Sequence, residues 1–447
     1  MKLFSSKTRA SCRGSVLVLV LWVALGVVSL TLYFAHTMSF ELRASDNRVA
    51  AAAADGAIEG ALAYVGSVLD NLDEAGKAPE IETYESEEVP IGESLFWLIG
   101  REEDLRSRNR PYFGLVDEAS KLNLSTATAE MLEMLPGMTA ELAAAIVDWR
   151  DTDSDPSPNG AESDVYGRLR PAYRCKNGPF ESLGELRLVN GMTLELLFGE
   201  DLNLNGILDA NENDGDASLP YDNRDGRLDP GLFEYVTIWS REPNTRSDGS
   251  PKININTAGR EELLSLLQQN LGAARADEII MALRTGGNVT SLLEFFVRSG
   301  MTAEEFAEIA SDITATTESF RDGLINVNTA SEQVLACIPG VGTEKAGSLV
   351  AYRQANRGKL GSIAWVAEVL DVASIVQAGR FITTQSYQFT ADVAALGPFG
   401  RGYRRVRAVF DTSDGSAKMV YRQDFSLSGW ALGSYVREQL ELTRLKR

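Results

Sequence analysis

The chain has 447 residues, more than one compact domain needs, and its 44% apolar content is enough to build two or three cores. A formal net charge of -20 opposes a polyanion-binding surface, and a single histidine, His36 at the end of an apolar run, all but removes histidine-based acid/base catalysis. Cys12, Cys175 and Cys337 are too few and too scattered for a disulfide framework or a paired zinc site; a Cys175 to Cys337 bridge is open but has nothing in the sequence to support it.

Residues 1–14 carry Lys2, Lys7, Arg9 and Arg13 and no acid, and residues 15–36 then read SVLVLVLWVALGVVSLTLYFAH without a formal charge. At 1.5 Å per residue this predicts about 33 Å of helix, enough to span a bilayer. The basic residues ahead of it keep the N-terminus cytoplasmic and send the remaining chain across. A cleaved signal peptide would have a shorter apolar core and a small-x-small site after it. The helical pattern continues through the alanines at 50–54 to Ile58, Leu62, Val65 and Leu69, spaced by four, three and four. Residues 37–120 are therefore read as the rest of one long helix followed by first strands, around 95–99 or 114–116.

Three segments then repeat a phrase: KLNLSTA at 121–127, KININTA at 252–258 and GLINVNTA at 323–330. Each predicts a short extended stretch and a Thr that caps a following helix, whose apolar positions in the third copy are Val334, Leu335 and Ile338. That copy continues as CIPGVGTEKAGSLVAYR, in which Pro339, Gly340 and Gly342 form the turn of a helix-hairpin-helix unit. The first copy keeps Pro136 and Gly137 but has Thr139 in place of the second glycine, and the second copy has no such turn. Helix-hairpin-helix units bind DNA phosphates through the backbone N–H groups of that turn. Copies that keep apolar positions and lose the glycines, in a strongly acidic chain, read instead as packing units.

Between the first two repeats, DLNLNGILDANE at 201–212 places Asp201, Asn203, Asn205, Asp209 and Glu212 at positions 1, 3, 5, 9 and 12 of an EF-hand-type loop, with Gly206 at the bend and the Ile207 carbonyl at position 7. Calcium takes six to eight such oxygens. The text that follows does not promise the usual second helix. Asp222, Asp225 and Asp229 make a partial second loop whose position 12 is Leu232; Asp151, Asp153 and Asp155 are either a third oxygen cluster or a surface turn. No GxSxG, HExxH or phosphate-binding glycine loop accompanies these acids, so structural calcium is preferred to hydrolysis by an extracytoplasmic Asp/Glu pair, and the chain is read as non-enzymatic. From 385 onward Tyr387, Phe389, Ala391 and Val393, then Val406, Ala408 and Phe410, then Met419 and Tyr421 alternate between glycine-rich turns, predicting an antiparallel sheet that closes the chain at 385–447.

A short basic leader ending in Gly14 directly before the apolar stretch resembles the prepilin-peptidase site of pilins and pseudopilins, with cleavage between Gly14 and Ser15. Most of that superfamily has Glu at the fifth mature position. Here it is Leu19, a departure that fits the K pseudopilins of type II secretion, since a subunit with nothing above it has no need of a buried carboxylate in lipid. GLVDEASKLN at 114–123, DWRDTDSDPSPNGAE at 148–162 and YRCKNGPFESLGELRLVNG at 173–191 are similar to segments of the same family. The resemblance implies an α+β, pilin-like fold: leader 1–14, transmembrane helix 15–36, pilin domain resuming at 37–120, and a C-terminal antiparallel sheet. Inserted between are a helical region with the first hairpin at 121–200, the acidic segment at 201–250, and further repeats at 251–322 and 323–384. It also implies a minor pseudopilin at the tip of the pseudopilus, single-pass in the inner membrane with its bulk periplasmic, binding calcium. The implied partners are other minor pseudopilins, the major pseudopilin, the inner-membrane platform and membrane lipid, with nucleic acid not among them. The alternatives are a minor pilin of a type IV system and a membrane-anchored DNA receptor using Pro339, Gly340 and Gly342.

Overall fold

The computed structural model describes residues 13–101, 111–246, 248–256, 260–284 and 287–445; residues 1–12, with Cys12, lie outside the described residues. Helix α1 (Arg13–Asp70) runs for 58 residues, about 87 Å at the usual rise, with Gly14 and Ser15 in its first turn. Residues 16–49 are exposed throughout, and this half contains the stretch long and apolar enough to cross a membrane. From Ala50 onward one stripe disappears into the protein, through Ala54, Ala57, Ile58, Ala61, Leu62, Val65 and Leu69. The alanines in that stripe let a sheet approach the helix closely. Strands β1 (Val89–Ile91) and β2 (Ser94–Leu98) form a hairpin, and β3 (Val116–Asp117) follows.

The chain then forms three modules of one design. The first is β4 (Leu122–Asn123), α2 (Ala129–Glu133), α3 (Ala140–Arg150), α4 (Ser163–Tyr166), α5 (Leu194–Phe198) and β5 (Val236–Thr237). After β6 (Arg241–Pro243) comes the second, β7 (Ile253–Asn254), α6 (Arg260–Leu271), α7 (Ala273–Leu283), α8 (Leu292–Ser299), α9 (Ala303–Ala307) and β8 (Ile313–Thr314). Strand β9 (Phe320–Asp322) pairs antiparallel with β6, so the middle module is inserted between two paired linkers. The third is β10 (Ile325–Asn326), α10 (Glu332–Ala336), α11 (Gly342–Ala355), α12 (Val372–Ala378) and β11 (Ile382–Thr383).

In every module the opening and closing strands pair in parallel over two residues, Asn123 opposite Thr237, Asn254 opposite Thr314 and Asn326 opposite Thr383. So short a ladder needs side chains to hold it. Each Asn Oδ1 accepts the N–H two residues on, from Ser125, Asn256 and Asn328 at 2.8, 2.8 and 2.9 Å. Each Thr hydroxyl likewise accepts the N–H two residues on, from Trp239, Thr316 and Gln385. In the first and third modules the Asn amide also donates to a serine three residues after that Thr, Ser240 at 3.0 Å and Ser386 at 2.7 Å. The repeat thus spans whole modules, of which the opening phrase is only the visible end. In the first and third copies Thr126 and Thr329 do not cap the helix as expected, and Thr257 of the second copy lies outside the described residues. The turn made by the Asn occupies those residues, and the caps fall two positions later on Thr128 and Ser331.

Strands β12 (Gln388–Gly397), β13 (Arg401–Asp411) and β14 (Lys418–Asp424) complete a sheet of order β1-β2-β12-β13-β14, with β3 also on β12. On one face Phe389, Ala391, Val393 and Ala395 pack against the buried stripe of α1. A side chain at Gly397 or Gly402 would run into the backbone of Ala50, so both turn positions require glycine. The chain does not end on the sheet, as predicted, but in α13 (Gly433–Leu445). Leu432 and Val436 cover the opposite face, against Trp97, Ala394 and Leu396. The first and third modules share one core and the middle module has its own, around Leu267, Phe295 and Phe306. Cys175 and Cys337 are separately buried and free, and burial pushes their thiols up to about 11 and about 12.

Candidate functional site

The loop leaving α3 folds back on itself because Asp148, fully buried, holds the Ser157 N–H between its two carboxylate oxygens. That fold brings a carboxylate oxygen from each of Asp151, Asp153 and Glu162 within 4.8 Å of the others. Asn177, at a positive φ of 47°, donates through its amide to the Asp153 carbonyl and to Ser154 Oγ. Asp151 Oδ1, Glu162 Oε1 and Asn177 Oδ1 are buried there without a hydrogen-bond partner. Burial pushes the carboxyl groups of Asp151 and Glu162 up, and the like charges of Asp148 and the neighbouring cluster acids add to it. Three converging carboxylates, two with a buried oxygen that has no partner, suit a hard divalent cation, so the residues present fit calcium. Of the three predicted acids only Asp151 and Asp153 belong to the cluster. Asp155 donates its N–H to Asp153 Oδ1 but is itself exposed, and Glu162 and Asn177 were invisible to a spacing rule because they arrive through space.

The 201–212 loop adopts the expected bend. Asp201 accepts the N–H groups of Asn205 and Gly206 at 2.9 and 2.8 Å, with Gly206 at φ 76°. Glu212, fully buried, closes the loop by accepting from Asp209 N–H at 3.0 Å and Leu202 N–H at 3.2 Å. The amides of Asn203 and Asn205 both donate to Asp209 Oδ2, and Asn205 Oδ1 accepts Ile207 N–H, while Asn203 Oδ1 is buried without a partner. Burial, reinforced by Asp201, raises the Glu212 carboxyl to about 8. The chemistry of this donor set also fits a divalent cation, and only a single 3-10 turn over Ala210–Glu212 follows in place of a second helix.

The second acidic loop is closed by a residue outside its own sequence window. Glu200 accepts the N–H groups of Asp229 at 2.9 Å and Asn223 at 3.4 Å, just as Glu212 does in the first loop, and Leu232 goes into the core. Asp222 accepts Gly215 N–H and Asp225 accepts Arg227 N–H, so these acids serve as turn braces.

Gly340 and Gly342 have φ of 82° and 65°, as a hairpin turn demands. The turn is covered on the Gly340 side, where a Cβ would stand 2.9 Å from Gln377 Cβ and 3.2 Å from the Ser374 carbonyl of α12, while a Cβ at Gly342 would meet open space. Lys345, on the second hairpin helix, donates to Asp371 Oδ2 at 2.7 Å and to Ser374 Oγ. The hairpin around Pro339 therefore packs α12 through Gly340 and Lys345.

The expected resemblance is borne out over the first module, where residues 115–198 match the family model described as Type II secretion system (T2SS), protein K. Residues 322–373 match a helix-hairpin-helix motif. Two curated relatives are named Type II secretion system protein K, from Klebsiella pneumoniae and Pectobacterium carotovorum subsp. carotovorum. They are 41% identical over 71 residues and 45% identical over 56 residues, or 16% and 12% of this chain. The matched stretches span 22% and 17% of those relatives' own length. A solved structure, the GspK-GspI-GspJ complex from the enterotoxigenic Escherichia coli Type 2 Secretion System, aligns over 89% of this chain and 99% of that chain, at 11% identity and a TM-score of 0.38.

Proposed function

We propose that this chain is a minor pseudopilin that sits at the tip of a type II secretion pseudopilus and starts or caps the filament for export of folded proteins. The observation that carries the reading is the match to secretion protein K over residues 115–198 in a chain that also has a 58-residue helix, exposed for its apolar half and packed on a sheet for the rest. On this reading cleavage falls between Gly14 and Ser15, and residues 15–36 anchor the protein in the inner membrane with its remaining mass in the periplasm. The three modules are bulky enough to obstruct a subunit arriving above, and Leu19 leaves no carboxylate to pair with one. Its partners are other minor pseudopilins, the major pseudopilin, the inner-membrane platform and the surrounding lipid.

No catalytic step belongs to this reading. Asp151, Asp153, Glu162 and Asn177 hold one structural calcium ion, and the 201–212 loop holds another, each supplying the positive charge that its buried carboxylates lack. Deleting the gene in its host and following secreted proteins tests the function. Retention of folded cargo in the periplasm, relieved by the intact gene, is expected; undiminished secretion overturns the proposal.

A further inference from the structure

The outer side of the 201–212 loop is gripped by the pilin sheet. Arg405 on β13 is fully buried, and its guanidinium forks onto both carboxylate oxygens of Asp392 on β12 at 2.7 Å. Its remaining donors reach the backbone carbonyls of Asn203 and of Leu204, the latter at 2.7 Å. Arg101, itself paired with Glu234, donates to the same Leu204 carbonyl at 2.8 Å, and Arg407 shares Asp392 from the solvent side. Asn203 also donates through its amide to the Trp430 carbonyl, ahead of α13. Leu204 has a φ of 54°, a left-handed conformation that a leucine keeps only when its surroundings fix it. The tight turn thus turns two carbonyls outward, onto Arg405 and Arg101, which lie about 200 and about 100 residues away in sequence.

We infer that the 201–212 loop is a cation-operated clasp: a divalent cation held by its inward oxygens fixes the Asn203 and Leu204 carbonyls where Arg405 and Arg101 receive them, locking the helical insert onto the pilin sheet. The inference rests on the calcium reading of this loop. It adds that Arg405 is the receiver, and that the cation's effect extends beyond the loop.

Hydrogen exchange followed by mass spectrometry, on the full-length protein in detergent micelles with calcium chloride or with a chelator, tests it. Chelation, or Glu212→Gln in the presence of calcium, should speed exchange at least tenfold both in 201–212 and in 425–432 on the pilin side. Glu162→Gln should leave both segments unchanged. Arg405→Lys, which keeps the charge and loses the fork, should retain calcium protection of 201–212 and lose it at 425–432. If 201–212 responds to calcium while 425–432 stays within twofold, the clasp is overturned and the calcium reading stands. If neither segment responds, the loop holds no cation and both fall.

Discussion

Asp117→Asn should flatten part of the protein's pH–stability profile. Asp117 ends β3 at the point where the antiparallel sheet meets the modules, and it is 7% exposed. Its Oδ2 receives Ser386 Oγ, Thr329 Oγ1 and Asn326 Nδ2, and its Oδ1 receives Ala119 N–H. Burial outweighs those donors, and with the Glu118 charge alongside it raises the carboxyl from 3.8 to about 6. In the unfolded chain the group titrates near its ordinary value, so between these limits the folded protein binds the proton more tightly. Its contribution to stability is therefore full below about pH 4 and is lost as pH rises through about 6. A rise of this size, at roughly 1.4 kcal/mol per tenfold change in proton affinity, is worth about 3 kcal/mol. Denaturant unfolding of the detergent-solubilised full-length protein and of the variant, followed by tryptophan fluorescence from pH 4 to 7, gives the difference curve in which other titrating groups cancel. The wild-type advantage should shrink by roughly 3 kcal/mol across that range. A flat difference, or one that grows with pH, would mean that the four donors keep Asp117 ionised and that the junction is a conventional carboxylate site.

Asp392→Ala should cost about 3–5 kcal/mol in the same unfolding experiment, because it strands the fully buried Arg405 without its carboxylate. Gly340→Ala should cost at least 1–2 kcal/mol by forcing a side chain into a left-handed turn, roughly the penalty of that conformation, while DNA gel shifts remain negative for both proteins. Glu162→Gln should lower the calcium stoichiometry in equilibrium dialysis by about one ion per chain, since it removes a buried ligand that nothing else replaces.

The apolar stretch, the long helix, the late strands and the openings of the three modules were legible because each is a local pattern: an uncharged run, a 3.6-residue stripe, an alternation, a repeated phrase. The closing strands of the modules were not, because a two-residue ladder has no periodicity, and its identity rests on an Asn and a Thr that meet only after about 60 to 110 intervening residues fold. The bend of the 201–212 loop could be read because all of its oxygen-bearing side chains fall within twelve consecutive residues. Glu162, Asn177 and Glu200 could not, since each comes to its loop through space. Helix α13 was missed because its apolar residues, Tyr435, Val436, Leu440 and Leu442, are few and follow a strand region whose alternation masks the change of period. The hairpin motif was visible in sequence, but the cover that α12 places over Gly340 depends on Gln377 and Ser374, well downstream.

The most direct test of the account is affinity purification of the tagged full-length protein from its own membranes, with mass spectrometry of the proteins that accompany it and of its N-terminus. Recovery of other pseudopilins with a chain that begins at Ser15 is the predicted result. Recovery of DNA-uptake components, or of a chain that still carries its leader and no pseudopilin, would contradict the assignment to a secretion pseudopilus.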